Sequence, residues 1–452
     1  MNDNLRKWLP WILVAVVAVI IVIIIAVNSG GDDEAATTTT AAQETTTTAA
    51  EETTTTAAEE TTTTAAEETT TSSSEAPVAF EPIPVKIGTV LPQTGQLAAI
   101  IDALENPIKM GVDEMNAVSS GLVSVDYGDS GTDPNIASAT VDKYLTGDYA
   151  GIIGAAASGV SLSIVDKVQG SEVAMCSGSN TAAAFSSSDY DPYYSRTAPS
   201  DNLQGPALAD VVAADAPAAV AVLWRNDEYG VGFGELVAAE LGDVVVEATA
   251  YDPKAGSFAT EAQAVVASGA DALVMITFEE GGQLLLDLES AGFAGQIYVA
   301  DGFKDTVGPD QLGGNAALLD GIKGTAPSAS PANGEATFPD RLEAAFPGTP
   351  TIFSAQKYDC LVVTVLAAQA AQSADPSVFV SEIGNVTKGG EKCTLFEECF
   401  NLLAEGKDID YDGASGPLDF GPSNEPGIGT YDVFLYDDTG ATETLEQIVA
   451  GG

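Results

Sequence analysis

Ser195-Arg-Thr-Ala-Pro-Ser-Asp-Asn-Leu-Gln-Gly-Pro206 is the stretch on which the fold turns, because one series of alternating strands and helices stops before it and a second begins after it. Arg196 and Thr197 continue an extended run, and Pro199 holds the backbone outside the helical region. Asp201, followed three residues later by Gln204, has the form of a capping box that starts a helix. The segment therefore reads as a crossover between two lobes. An ordinary strand-to-helix turn within one sheet would look the same locally, and the surrounding pattern favours the crossover.

Working toward the N-terminus, Val85-Lys-Ile-Gly-Thr-Val-Leu-Pro92 reads as a first buried parallel strand. A helical pattern follows over 106–116, then a strand over 122–127, and Asp133-Pro134 opens another helix with proline in its first turn. A strand over 150–153, a helix over 160–168 and a strand over 173–175 complete the first series. After the crossover, strands are predicted over 218–224, 244–250, 272–276 and 296–300, with helices near 232–241, 258–268 and 282–291. An extended exit at 321–327, a long Ala-rich helix over 353–373 and a last strand over 431–436 follow. This alternation predicts an α/β chain with two parallel sheets, each covered on both faces, and a cleft between their strand carboxyl ends.

Composition narrows the chemistry. The 452 residues carry 16 Lys+Arg against 66 Asp+Glu, a formal charge of -50, which excludes nucleic acid and anionic membrane surfaces as partners by repulsion. Histidine is absent, so Ser-His-Asp and Cys-His nucleophiles, His-containing zinc sites and imidazole acid-base catalysis cannot be built. No Gly-x-Ser-x-Gly elbow occurs and no Ser-x-x-Lys run starts at Ser158, leaving a Ser/Lys hydrolase at Ser158 as the weakest alternative. No catalytic residue, metal site or cofactor is expected. Of the four cysteines, Cys393 and Cys399 lie close together and are expected to form a local disulfide if this part is outside the cytosol; the residues say nothing of whether Cys176 and Cys360 meet.

Residues 8–27 form an apolar run behind Arg6-Lys7, long enough at about 20 residues to span a bilayer. It is expected to be a retained transmembrane anchor within residues 1–30, with the short N-terminal end cytoplasmic and the rest outside; cleavage would make the protein secreted. From Thr37 the chain repeats Thr-Thr-Thr-Thr-Ala-Ala-Glu-Glu, which has almost nothing large and apolar to bury, so residues 31–80 are expected to be a disordered stalk. Thr-rich tracts of this kind can carry O-linked sugars.

Several motifs together resemble one family: the start Val85-Lys-Ile-Gly-Thr-Val-Leu-Pro-Gln-Thr-Gly95, Asp129 with Asp133-Pro134, Gly154 with Ser158, Arg196 to Pro206, Asn226-Asp-Glu-Tyr-Gly230, Ala300-Asp-Gly302 and Tyr358-Asp359. From Val85 to Tyr436 the chain is similar to the branched-chain amino acid (Leu/Ile/Val) binding proteins of ABC transporters. The resemblance implies a type I periplasmic-binding fold: two doubly wound lobes joined by a multi-strand hinge, lobe 1 being 81–200 plus 326–428 and lobe 2 being 201–325 plus 429–452. It implies a monomeric extracytoplasmic receptor that closes on an amino acid or similar zwitterion and delivers it to a membrane permease; a surface sensor using the same lobes is the alternative. On this reading Ser158, Gly178 and Asn180 hold the ligand's carboxylate, Asp301 its amine, and Tyr229 and Phe278 its side chain, with Asp201 also at the site and Glu279 and Glu280 at the rim. A helix cap accounts equally for Ser158, and a turn residue for Asp301.

Overall fold

The computed structural model describes residues 80–452, so the anchor expected over residues 1–30 and nearly all of the stalk over 31–80 lie outside the described residues. No helix among the described residues is long and apolar enough to cross a membrane. The first sheet contains β1 (Val85–Leu91), β2 (Val123–Asp129), β3 (Gly151–Gly154), β4 (Ala174–Ser177) and β5 (Tyr194–Arg196), all parallel, in the order β2-β1-β3-β4-β5. Helices α1 (Ile101–Val118), α2 (Pro134–Leu145) and α3 (Ser158–Gln169) connect its strands. As the motif predicts, the Asp133 side chain caps α2, accepting the Asn135 and Ile136 N–H groups, and Pro134 occupies the first turn.

After the crossover come α4 (Asp201–Ala214), β6 (Val220–Arg225), α5 (Glu228–Leu241), β7 (Val245–Tyr251), α6 (Ala259–Ser268), β8 (Ala272–Ile276), α7 (Gly281–Ala291), β9 (Gln296–Val299) and β10 (Lys323–Pro327). The chain then builds α8 (Phe338–Ala345), α9 (Ser354–Ala370), α10 (Pro376–Phe379), β11 (Glu391–Cys393), α11 (Phe396–Ala404), β12 (Ile409–Gly413) and β13 (Gly416–Pro417), and ends in β14 (Ile428–Tyr436) and β15 (Thr442–Gly451). The second sheet has the order β15-β14-β10-β9-β8-β6-β7, with β14 antiparallel to both β10 and β15; β11, β12 and β13 form a small separate sheet.

Three connections thus pass between the two large sheets: from β5 into α4, from β10 toward α8, and from β13 back to β14. The central strands are apolar because helices cover both their faces; β8 is buried along its whole length. Helix α9 is buried on almost every side from Ser354 to Gln369, and its second half, Cys360 to Ala368, is apolar but for Thr364. It packs against α1 and β4, and a disulfide joins its Cys360 to Cys176 on β4. A second disulfide joins Cys393 to Cys399.

The crossover differs from its sequence reading in one respect. Ser200, not Asp201, is the N-cap of α4: its hydroxyl accepts the Asn202 N–H, and Asp201 is the first helical residue. Gln204 does not complete a capping box; its amide donates instead to the Thr325 carbonyl and hydroxyl on β10.

Candidate functional site

The carboxyl ends of both sheets meet around a cavity lined from the first sheet by Leu97, Ile100, Ala156, Ala157, Ser158, Ser179, Thr181 and Phe353 and from the second by Tyr229, Phe278, Asp301, Gly302 and Thr306. This is where open α/β sheets bind ligands, because the loops after the strands diverge there. Four predicted residues, Ser158, Tyr229, Phe278 and Asp301, come together in it.

On the first-sheet side, Ser158 opens α3 directly after the loop that follows β3. Its hydroxyl oxygen accepts the Ala182 N–H at 3.3 Å, which leaves its own O–H free to donate. No lysine or carboxylate hydrogen-bonds to it among the described residues, so a Ser/Lys nucleophile is not assembled. Gly178 and Asn180 must be corrected: neither lines the cavity. A Cβ on Gly178 would stand 2.6 Å from the Gln356 backbone carbon, so glycine is required there for the turn to approach α9. The Asn180 side chain is consumed internally, donating to the Ala155 and Ala156 carbonyls and accepting the Tyr194 hydroxyl. Their neighbours Ser179 and Thr181 line the cavity instead, though the Ser179 hydroxyl donates to the Ala156 carbonyl at 3.1 Å.

The second-sheet side is built on the loops after β6, β8 and β9. Tyr229, in the first turn of α5, donates its hydroxyl to Asp301 Oδ1 at 3.1 Å and stacks on Phe278 with centroids 5.3 Å apart. Burial pushes the Asp301 carboxyl up to about 7, against the Tyr229 hydrogen bond that holds it down. Asp201 does not line the cavity, yet its carboxylate is buried with neither oxygen hydrogen-bonded, and burial followed by repulsion from Asp301 pushes its pKa well above the usual carboxylate range. Glu280 is not a rim residue. It is buried, accepting Arg225 Nη1 at 2.8 Å, Tyr251 Oη at 2.9 Å and the Phe278 N–H, and so fixes Arg225 with its guanidinium 3.5 Å from the Phe278 ring centre.

Phe353 was not singled out by sequence. It precedes α9 with a left-handed backbone, φ 58°, and closes the apolar wall opposite Phe278. The same loop touches the second sheet's loops: Lys304 Nζ donates to Thr351 Oγ1 and the Ile352 N–H to Asp305. On another part of the rim, Gln96 accepts from Arg225 and donates to the Pro253 carbonyl. The two sides are therefore in contact around the cavity. Hydroxyls on one side, a carboxylate on the other and an apolar wall between them make a binding site rather than a reaction centre.

The comparisons with known proteins agree with this geometry. Residues 84–441 match the family described as periplasmic binding protein, and residues 10–82 match a second one, described as New glue protein family, over the apolar and Thr-rich stretch. The chain is 25% identical to the chemotactic signal transduction system substrate-binding protein BasB of Halobacterium salinarum, over 81% of this chain and 90% of that one. Its fold matches the branched-chain amino acid transporter substrate-binding protein LivJ of Streptococcus pneumoniae, solved with isoleucine, at TM-score 0.68 and 18% identity over 81% of this chain and 99% of that one. It also matches a solute-binding protein of an ABC transporter from R. palustris, solved with 4-hydroxybenzoate, at TM-score 0.65 and 16% identity over 81% and 98%. Membership implies an extracytoplasmic location and a solute-binding role without catalysis: the chain belongs to the periplasmic binding protein family and has its type I fold.

Proposed function

We propose that the protein captures an amino acid, or a similar small zwitterion, between lobe 1 (residues 81–200 and 326–428) and lobe 2 (201–325 and 429–452) and delivers it to the permease of an ABC transporter. The observation that carries this reading is the polarity of the cavity: Ser158 and Thr181 on one side suit a carboxylate, and Asp301 with Tyr229 on the other suits an ammonium. No lysine or arginine lines the cavity, so the carboxylate is held by hydroxyls and by N–H groups at the start of α3. Leu97, Ile100, Phe278 and Phe353 leave an apolar space for the ligand's side chain. The apolar run at 8–27 tethers the receptor to the cytoplasmic membrane, and the Thr-rich repeat spaces it from the surface.

A second reading, supported by the name of the BasB relative, keeps the ligand but makes the receptor a sensor that presents it to a chemotaxis partner. Both readings are tested with the full-length chain. Mass spectrometry of small molecules released from natively purified protein is expected to find an amino acid, and L-isoleucine is expected to raise the melting temperature while 4-hydroxybenzoate, which has no amine for Asp301, does not. Release of a ligand without an amine would defeat the amino-acid reading. Co-purification of a permease rather than a chemotaxis receptor decides between the two roles.

A further inference from the structure

Asp201 is the first residue of α4, and its N–H donates to the Thr181 carbonyl at 2.7 Å, which ties it to the turn that lines the cavity. Only 1% of the residue is exposed, and neither carboxylate oxygen has a hydrogen-bond partner. An ionised carboxylate in that position would lack water and have the Thr181 side chain as its one nearby donor. Asp301 lies close enough to repel a charge on Asp201, and is itself 3% exposed with a hydrogen bond from Tyr229 alone.

The groups around this pair supply no compensating charge. From α4, Gln204 gives its amide to Thr325 and leaves its Oε1 unpartnered. From β14, Tyr431 donates to the Ser200 carbonyl, and from α5, Tyr229 already serves Asp301. From β5, Arg196 is the nearby cation, but it is held by Glu425, by the Asn180 and Ala182 carbonyls and by Ser186. Two buried carboxylates with no free cation between them cannot both ionise.

We infer that ligand capture is coupled to loss of a proton: the empty cleft keeps Asp201 protonated, and the arriving ammonium takes the place of that proton. This rests on the amine reading of the site given above. In the step, the Asp201 O–H bond breaks, the proton passes to solvent, and the ligand's –NH3+, held at the cavity by Asp301, offsets the second negative charge of the pair; no covalent bond to the ligand forms. Free protein then holds one proton more than the complex, so affinity rises with pH, by up to about tenfold per unit while the free pair remains protonated.

The test uses the full-length chain and L-isoleucine. Calorimetric titration near pH 7 in two buffers of different ionisation enthalpy is expected to give heats that differ by close to one released proton, with affinity rising between about pH 6 and about pH 8. The proton release should disappear in Asp201→Asn and in Asp201→Ala, the second variant guarding against misfolding of the first. Heats independent of buffer in the wild type, or release that survives in both folded variants, would overturn the inference while leaving isoleucine as a ligand. Infrared spectra of the unliganded protein separate the two claims. A protonated-carboxyl band near pH 7 that Asp201→Asn removes, together with no isoleucine binding, keeps the protonated pair and sinks the amino-acid reading; absence of that band overturns the inference whatever binds.

Discussion

Arg196 and Asp201 lie in the same crossover, both buried, and they have been treated in opposite ways. Every direction from Arg196 ends on a partner: the Glu425 carboxylate, two backbone carbonyls and the Ser186 hydroxyl. Asp201 has no partner for either oxygen. Buried polar groups are nearly always satisfied, so an exception marks a place where another molecule completes the network. The arginine belongs to the architecture, fastening the loop before β14 to the end of β5, whereas the aspartate stands behind the cavity wall, its N–H bonded to the Thr181 carbonyl. Lys357 is a third case. It lies in the first turn of α9, just after Phe353, fully buried and with no hydrogen bond to its Nζ, and burial lowers its pKa to about 7.

The comparison can be broken most severely at Glu425. Glu425→Ala leaves the Arg196 guanidinium buried without its carboxylate, and urea unfolding is expected to show a loss of about 3–5 kcal/mol; an unchanged midpoint would mean the backbone carbonyls suffice. At the unsatisfied end, Asp301→Ala should leave stability intact but strand the ligand's ammonium, weakening isoleucine binding by about 2–5 kcal/mol, which is roughly 30-fold to several thousand-fold in Kd. Equal affinity in a titration of the two proteins would remove the amine from the Asp301 side.

Lys357→Met sharpens the contrast from the other direction, because removing an unpaired buried amine should stabilise the fold by about 1–4 kcal/mol. The sign with pH follows from its lowered pKa. Between about 7 and the ordinary 10.5 the folded protein binds fewer protons than the unfolded chain, so this residue makes stability rise as pH increases through that window. The wild type should gain on the variant there, and parallel stability curves would show that Lys357 stays charged. The smallest effect is expected at Ser158, where Ser158→Ala should cost about 0.5–1.5 kcal/mol of binding if Thr181 and the N–H groups of α3 still hold the carboxylate. Titration with isoleucine measures it, and a loss as large as that of Asp301→Ala would make this serine the principal anchor.

The two-sheet plan was legible because buried parallel strands are short apolar runs; the ends of β8 coincide with the run Ala272–Ile276 itself. β15 was not foreseen, since an exposed edge strand such as Thr-Glu-Thr-Leu-Glu-Gln over 442–447 carries no apolar alternation, and it pairs only because β14 lies beside it. The short strands β11 and β13 offer too few residues for any period to show. Within the site, Ser158, Tyr229, Phe278 and Asp301 could be found because each follows a recognisable strand. The turn after β4 was misread by one position: successive side chains there point to opposite sides, so a single step exchanges Ser179 and Thr181 for Gly178 and Asn180. Phe353 had no local signal, because its place in the wall depends on how α9 packs against strands formed far earlier in the chain.

The disulfide between Cys176 and Cys360 also sets a timetable. The two cysteines are 184 residues apart, and all of β6 to β10 lies between them. At synthesis rates of about 5–20 residues per second, Cys360 is made roughly 10–40 s after Cys176. Through that interval Cys176 waits as a thiol while five of the seven strands of the second sheet are produced, whereas Cys399 follows Cys393 by only six residues, about a second or less. The long crosslink is still the earlier of the two to become available, because Cys360 precedes Cys393 and Cys399 in the chain, but it cannot close before the start of α9 has been made. Once closed, it joins β4, next to the hydroxyl-bearing turn, to the helix that carries Phe353, so a single protease cut anywhere in the intervening chain would leave these two walls of the cleft covalently attached.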